Sequence, residues 1–352
     1  MSGTTGMLAG KKVALIGGAG FIGHHLALEL VRRGASVDVI DSLQVNNLIQ
    51  LTADTKQDAY TRDLYLRIVN QRLDLMREAG VVLHPQDARD YHALSRILVT
   101  TKPHVTVHLA AVSHAGRSNK DPYSTFDHSL RTLENALDAA RGICEHFVFL
   151  SSSMVYGNFQ TDEVDEDHPL SPIGIYGALK VGGEKIVIAY QQVFDLPYTI
   201  IRPSALYGAR CVSRRVGQIF IENALRGHKL RVDGDGSERL DFTYVDDLVA
   251  GICLAIQQPA ARNQIFNMTY GSARAIRDLV ALVRDYFPEV AVESVERDAL
   301  MPMRGTLSIE RARRLLGYQP AYPIEKGFPK YIEWYQKLTQ PSRAGARKSA
   351  GG

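Results

Sequence analysis

Glycines at positions 17, 20 and 23 separate a run of apolar residues from a stretch with helical spacing, and this junction limits the fold more than any other segment. Val13-Ala14-Leu15-Ile16 is a continuous apolar run of strand length. Gly17-Gly18-Ala19-Gly20-Phe21-Ile22-Gly23 follows at once, after which Ile22, Leu26 and Leu30 share one helical face. Gly34 closes that helix after Arg32-Arg33, and Ser36 to Ile40 is a second strand ending on Asp41.

Each glycine has its own reason. Gly17 permits the tight turn out of the strand, Gly20 lets the backbone approach a pyrophosphate, and Gly23 lets the helix pack on the sheet. The free N–H groups and partial positive charge of the helix N-terminus suit phosphate. Asp41, at the end of the second strand, is placed to accept hydrogen bonds from an adenosine ribose. No Arg or Lys occurs from Ser42 to Asn46 to receive a 2′-phosphate, so NAD is expected rather than NADP. A turn that serves only to pack a helix is the alternative; the agreement of strand, turn, helix, second strand and acid weighs against it.

The rest of the chain fits a soluble globular fold. Its 352 residues are enough for one large or two small domains, and a 45% hydrophobic content beside 22% charged residues is ordinary for a globular protein. Cys144, Cys211 and Cys253 lie far apart and match no zinc or disulfide spacing, which points to a reduced cytoplasm. Of the 41 Lys and Arg, three fall in Pro341 to Gly352; the other 38 equal the 38 Asp and Glu, so the folded part has no net charge to attract nucleic acid or an anionic membrane. Residues 1–10 read as a flexible N-terminus without signal-peptide character, and 339–352 as a disordered tail. No run approaches the ~18 apolar residues of a spanning helix.

Strands and helices alternate through the first half. The segment from Val45 to Gly80 is longer than a strand-to-helix connection needs, and Tyr65, Val69, Leu73 and Met76 give it a helical face beside the adenosine end of the groove. A packing or dimer-contact helix is its simplest reading. A strand over Val81 to Leu83 leads to Asp87-Ala88, where an acid past a strand end suits an adenine amino group and a helix cap at Asp87 or Asp90 is the alternative. Helix over Tyr91 to Thr101, strand over Val105 to Leu109 and the small pair Ala110-Ala111 follow. Helices over Phe126 to Ala140 and through Lys180 to Phe194 flank strands His146 to Leu150 and Tyr198 to Ile201.

After Pro203 the elements shorten. A helix from Gly217 to Gly227, strands at Lys229 to Val232 and Phe242 to Val245, and an Asp246-Asp247 cap before a helix from Leu248 to Gln257 are expected. A strand Ile265 to Asn267 and helices Ile276 to Phe287 and Ile309 to Leu316 complete the pattern. The fold class is therefore α/β: a Rossmann-type doubly wound parallel sheet with a smaller C-terminal α/β substrate-binding domain. Residues 11–203, with help from about 241–268, make the NAD-binding domain, and 204–240 with 269–338 the substrate-binding domain.

Ser151-Ser152-Ser153 follow a strand directly, at the same sheet edge as the glycine turn. Tyr176 and Lys180, four residues apart, share a helical face. A tyrosine ordinarily titrates near pH ~10 and needs help to act as a base near neutrality; an adjacent ammonium favours its phenolate.

The combination resembles the extended short-chain dehydrogenase/reductase family, and within it the NAD-dependent nucleotide-sugar epimerases and dehydratases. The resemblance runs from about Lys12 to Leu338 and rests on Gly17 to Gly23, His108-Leu109-Ala110-Ala111, Ser152 to Gly157, Tyr176 with Lys180, and Asp241 to Asp246. It implies that Ser152 is the catalytic hydroxyl, Tyr176 the base, and Lys180 the residue that binds the nicotinamide ribose and lowers the tyrosine pKa. It further implies that Phe21 and Ile22 present N–H groups to the pyrophosphate, that Asp41 holds the ribose, and that Asp87-Ala88 meet the adenine. Leu109, Ala110 and Ala111 would line the cofactor groove, with Ser129 at a cofactor position usually held by Asn. Ser118, Ser153 and Ala205, the last replacing another usual Asn, would face the substrate, and Arg304 matches a phosphate-binding position, a surface arginine being the alternative.

Relatives that dehydrate a sugar carry Asp-Glu just after the catalytic hydroxyl, where this chain has Ser153-Met154; a thioether transfers no proton. Relatives that decarboxylate usually have Glu in place of Ser153. The resemblance thus narrows to an isomerase that epimerises a nucleotide sugar, at C4: Tyr176 takes the hydroxyl proton, hydride passes to NAD, the keto sugar turns over, and hydride returns to its other face. The alternatives are a keto-sugar-nucleotide reductase or dehydrogenase and a non-catalytic NAD-sensing protein. Leu240 stands where many relatives have a diphosphate-binding Arg, and Arg239 next to it points the other way in a strand. Relatives commonly form homodimers through helices like those after Pro122 and Tyr176. No metal is expected: His24-His25 find no third ligand and read as packed or solvated. Glu163 to Asp167 read as a solvated acidic loop, and Tyr207 and Arg210 as neighbours of the sugar.

Overall fold

A computed structural model describes residues 6–54, 57–112, 115–298 and 300–340. Seven parallel strands form the central sheet: β1 (Lys12–Ile16), β2 (Ser36–Asp41), β3 (Val82–Pro85), β4 (Val105–His108), β5 (His146–Leu150), β6 (Tyr198–Arg202) and β7 (Gln264–Asn267). Their order is β7-β6-β5-β4-β1-β2-β3, so the chain reverses direction across the sheet between β1 and β4. Open parallel sheets bind ligands at such a reversal, beyond the carboxyl ends of the strands. Helices cover both faces, which is why Val13 to Ile16 and Phe147 to Val148 are wholly buried. The Rossmann-type fold expected from the sequence is present.

The glycine turn is built as its spacing demands. Gly17 has φ +78°, and a Cβ there would sit 2.6 Å from the backbone nitrogen of Ala110. A Cβ on Gly23 would lie 2.4 Å from the carbonyl oxygen of Gly18, so helix α1 (Phe21–Arg32) can seat on the turn only with glycine there. The turn is also pinned from β2, since Ala19 N–H donates to the Asp41 carboxylate at 2.9 Å.

Several local expectations change in the folded chain. Leu8 is buried and donates its N–H to the carbonyl of Arg33, so the described part of the N-terminal stretch packs on the core. The insertion holds a short helix, Leu48–Ala53, and a long one, α2 (Ala59–Glu78), whose Tyr65, Val69 and Met76 join the main core. Its tyrosine hydroxyl donates to Glu222 at 2.9 Å, which ties the insertion to the second half of the chain. The helix expected over Phe126 to Ala140 is broken: Pro122–Phe126 is followed by a π-helical turn, Asp127–Arg131, before Thr132–Ala140.

Asp246 and Asp247 do not cap; the helix begins at Val245, and the Asp247 carboxylate instead accepts from the N–H groups of Ala321 and Tyr322. The acidic loop is not all solvated either. Glu163–Val164 pairs with Thr306–Leu307, and buried Glu166 accepts from the N–H of Asn267 at 2.8 Å. Residues 341–352, most of the expected tail, lie outside the described residues.

Candidate active site

Two concavities open at the carboxyl edge of the sheet, and they meet. The first is a groove over the glycine turn, lined by Gly17, Gly20, Phe21, Ile22, Gly23, Asp41, Asp87, Ala88, Leu109, Ala110 and Ala111, the residues expected there. The second, a cavity of about 420 Å³, is lined by Ser152, Ser153, Tyr176, Lys180, Ala205 and Arg304 among others. Ile22, Leu109, Ala111 and Arg215 belong to both walls. A ligand in the groove therefore reaches a ligand in the cavity at this shared wall.

The groove fits a dinucleotide. A Cβ on Gly20 would find its nearest neighbour at 3.4 Å, so this glycine, unlike Gly17 and Gly23, leaves open space on the groove side. At the far end, Gln44, Arg89 and His128 surround Asp87: Arg89 grips its carboxylate at 2.6 Å and reaches Asp127 at 2.9 Å. Burial raises the Asp87 pKa, and the Arg89 pairing outweighs it and holds the carboxylate ionised. Asp90, not Asp87, caps the next helix. His128 and Thr132 line the groove beside Ser129, whose hydroxyl is buried without a partner among the described residues.

Helix α3 (Gly174–Phe194) presents Tyr176 and Lys180 to the cavity, as the four-residue spacing predicts. Lys180 Nζ donates to the carbonyl oxygen of Leu150 at 2.5 Å and lies 5.9 Å from the centre of the Tyr176 ring. Burial pushes its pKa down to about 8, and Glu184 opposes that fall. Tyr176 is itself pushed up by burial; the charge of Arg215 and a hydrogen bond with Ser152 pull it back. Arg215, which sequence spacing did not single out, is thus a second positive charge acting on the tyrosine beside Lys180. Arg215 follows a poorly patterned loop and is brought in only by the fold.

Ser152, two residues past the end of β5, accepts from the N–H of Met154 at 3.2 Å, which fixes the start of a single helical turn, Ser153–Val155. Ser153 and Met154 both line the cavity. Ser118 is fully buried on the helix Ala115–Lys120 and is not among the described lining residues. Arg304 is half-buried in the cavity wall, 3.8 Å from Glu238 and with its Nε unpartnered, rather than on the open surface. Arg239 is exposed and bonds Ala273, while Leu240 lines the cavity; the strand alternation aims the arginine away.

Tyr207 lines the cavity as expected, but Arg210 does not reach it. Arg210 Nε donates to Nε2 of His24, whose Nδ1–H bonds the carbonyl of Gly20 at 2.9 Å. Both His24 and His25 are packed, with pKa values lowered chiefly by burial. Among the described residues no group of three or more His, Cys, Asp or Glu is placed to hold a metal ion.

Residues 13–269 match the NAD dependent epimerase/dehydratase family, and the chain belongs to that family. Over 94% of its length it is 29% identical to the whole of UDP-glucose 4-epimerase from Mycolicibacterium smegmatis. It is 28% identical, over 94% of its length and 99% of the relative's, to the uncharacterized UDP-glucose epimerase YtcB of Bacillus subtilis. The fold matches that of UDP-glucuronic acid 4-epimerase from Bacillus cereus, solved with UDP-glucuronic acid and NAD, with a TM-score of 0.82 at 23% identity, covering 93% of this chain and 99% of that one.

Proposed function

We propose that this protein is an NAD-dependent isomerase that inverts C4 of a nucleotide sugar through a transient 4-keto sugar. The observation that carries the reading is the shared wall between groove and cavity, with Ser152, Tyr176 and Lys180 grouped on the cavity side of it. Gly20, Phe21, Ile22 and Gly23 hold the pyrophosphate at the head of α1, Asp41 the ribose, and Asp87 and Ala88 the adenine. When bound there, NAD serves as the hydride acceptor and donor.

The chain's own residues handle the proton. Tyr176 removes it from the sugar hydroxyl, and Arg215 and Ser152 stabilise the phenolate against the cost of burial. Lys180 has three N–H donors and spends one on Leu150, leaving the others for a ribose hydroxyl. Met154 on the cavity wall has no proton to move, which favours epimerisation over dehydration. Arg304, freed from Glu238, supplies charge for the diphosphate.

In this reading residues 11–203 with 241–268 carry the cofactor, and 204–240 with 269–338 cover the sugar. A cytoplasmic homodimer is part of the same proposal: all three cysteines are free and buried, and Tyr123 with Phe126, and Val193 with Phe194, leave apolar surface on the two helical segments that relatives pair. Light scattering at micromolar concentration tests the dimer.

A panel of nucleotide sugars, beginning with UDP-hexoses because of the relatives' named substrates, followed by NMR of the products, tests the activity. Interconversion of C4 epimers without net NADH is expected. Stoichiometric NADH production or consumption would replace the epimerase with a dehydrogenase or reductase. Tyr176→Phe should lose turnover by about 10²-fold or more while retaining NAD; an unimpaired variant removes Tyr176 as base.

A further inference from the structure

The insertion after β2 carries a buried cation without a counter-ion. Arg72, on α2, is 1% exposed, and its Nε and Nη2 both donate to the carbonyl oxygen of Arg210, at 2.9 and 2.5 Å. Its Nη1 has no hydrogen-bond partner among the described residues, and the carboxylate whose charge acts on it, Asp41, is not hydrogen-bonded to it. A buried guanidinium held only by a carbonyl is costly, because desolvation is not offset by an opposite charge.

The neighbours sharpen the imbalance. Arg210 lies beside it and hydrogen-bonds a histidine, its own charge opposed by that of Asp246. His24 and His25 are kept neutral by burial, and Asp41 reaches Arg72 only at long range, while holding two backbone N–H groups of its own. Two adjacent guanidinium groups thus stand behind the head of α1, linked to it through His24 and Gly20. Arg72 is also part of the groove wall, with Gly20, Gly23 and Asp41. The insertion is tied to the turn at its start, where Asn47, the cap of the short helix Leu48–Ala53, donates to the carbonyl of Ala19 at 3.2 Å.

We infer that Arg72 is a cofactor-binding residue whose charge acts on the dinucleotide pyrophosphate from the groove wall beside the N-terminus of α1. The glycine turn offers phosphate only N–H groups and a helix dipole; the insertion adds a full positive charge in a site with little water to screen it. The anion in turn supplies the counter-charge that Arg72 lacks. The 45–80 insertion would thereby be part of the cofactor site as well as a packing element.

The test compares ligands with and without the diphosphate. The full chain, stripped of cofactor, is titrated calorimetrically with NAD, NADP and adenosine, as wild type, Arg72→Gln and Arg72→Lys. Arg72→Gln should weaken NAD by about tenfold or more, the scale of a lost charged hydrogen bond, and leave adenosine within about twofold. Arg72→Lys should recover part of the loss. Equal weakening of NAD and adenosine, or no weakening of either, overturns the inference; a gain confined to NADP in the wild type assigns the charge to a 2′-phosphate and overturns it too. If neither variant folds, the wild type alone decides: inorganic pyrophosphate at millimolar concentration should raise its melting temperature, and no rise overturns the proposal.

Discussion

Arg202 grips the carboxylate of Glu184 with two N–H groups, Nε at 2.9 Å and Nη2 at 2.7 Å, directly beneath the catalytic edge of the sheet. Both side chains are 2% exposed. Ser151 adds its hydroxyl to the same carboxylate at 2.5 Å, and Arg202 also donates to Tyr156 at 2.9 Å. Removing one partner strands a buried charge, so Glu184→Leu or Arg202→Met alone should lose about 3–5 kcal/mol in urea unfolding. The double variant should lose less than the sum of the two, and additive losses would show that the charges do not sense each other.

Gly20 and Gly23 should separate into a ligand glycine and a packing glycine. Gly23→Ala meets the Gly18 carbonyl and should cost about 2 kcal/mol or more of stability, visible in thermal unfolding without cofactor. Gly20→Ala finds room in the protein itself and should leave that unfolding nearly unchanged. Its effect should be confined to NAD affinity, measured by calorimetry.

The alkaline limb of turnover should follow Lys180. Its folded pKa, about 8, is depressed from the ordinary 10.5, so the folded state holds this proton less tightly than the unfolded chain does. The resulting stability penalty is full below pH 8 and disappears as pH rises through 10.5. The ammonium itself is lost above pH 8, and kcat should fall there. Lys180→Arg, which stays charged, should remove that limb while lowering the plateau through misplaced geometry.

Ala205 has φ +36°, a left-handed conformation that costs a residue with a Cβ about 1 kcal/mol. Ala205→Gly should raise the unfolding free energy by about that amount. Ala205→Asn should gain part of it, since asparagine tolerates this region. A loss of stability in both variants would show that the site compensates the strain elsewhere.

How much could be read in advance depended on the range of the interaction. The glycine turn, the two strands around it, Asp41 and the Tyr176/Lys180 pair depend on neighbours within a few turns, and their positions followed from spacing. The broken helix at Asp127–Arg131, the early start at Val245 and the burial of Glu166 answer to distant partners that no local pattern encodes. Arg215, Arg72 and Gln44 were missed for the same reason. Each lies in a loop or an insertion, and its part in the groove depends on how that segment folds back on the sheet.

The order of residues by itself determined the alternation of buried strands with amphipathic helices, hence a parallel sheet, and it determined where glycine had to stand for a phosphate-sized approach. These are consequences of backbone sterics and of hydrophobic period, which act over short distances. Only the tertiary structure decided that Arg215 joins Lys180 around Tyr176, which groups hold Asp41 and Asp87, and which buried arginine lacks an ion-pair partner. Those are matters of electrostatics in a low-dielectric interior, where a charge is tuned by whatever the fold brings within a few ångströms, however far away in the chain.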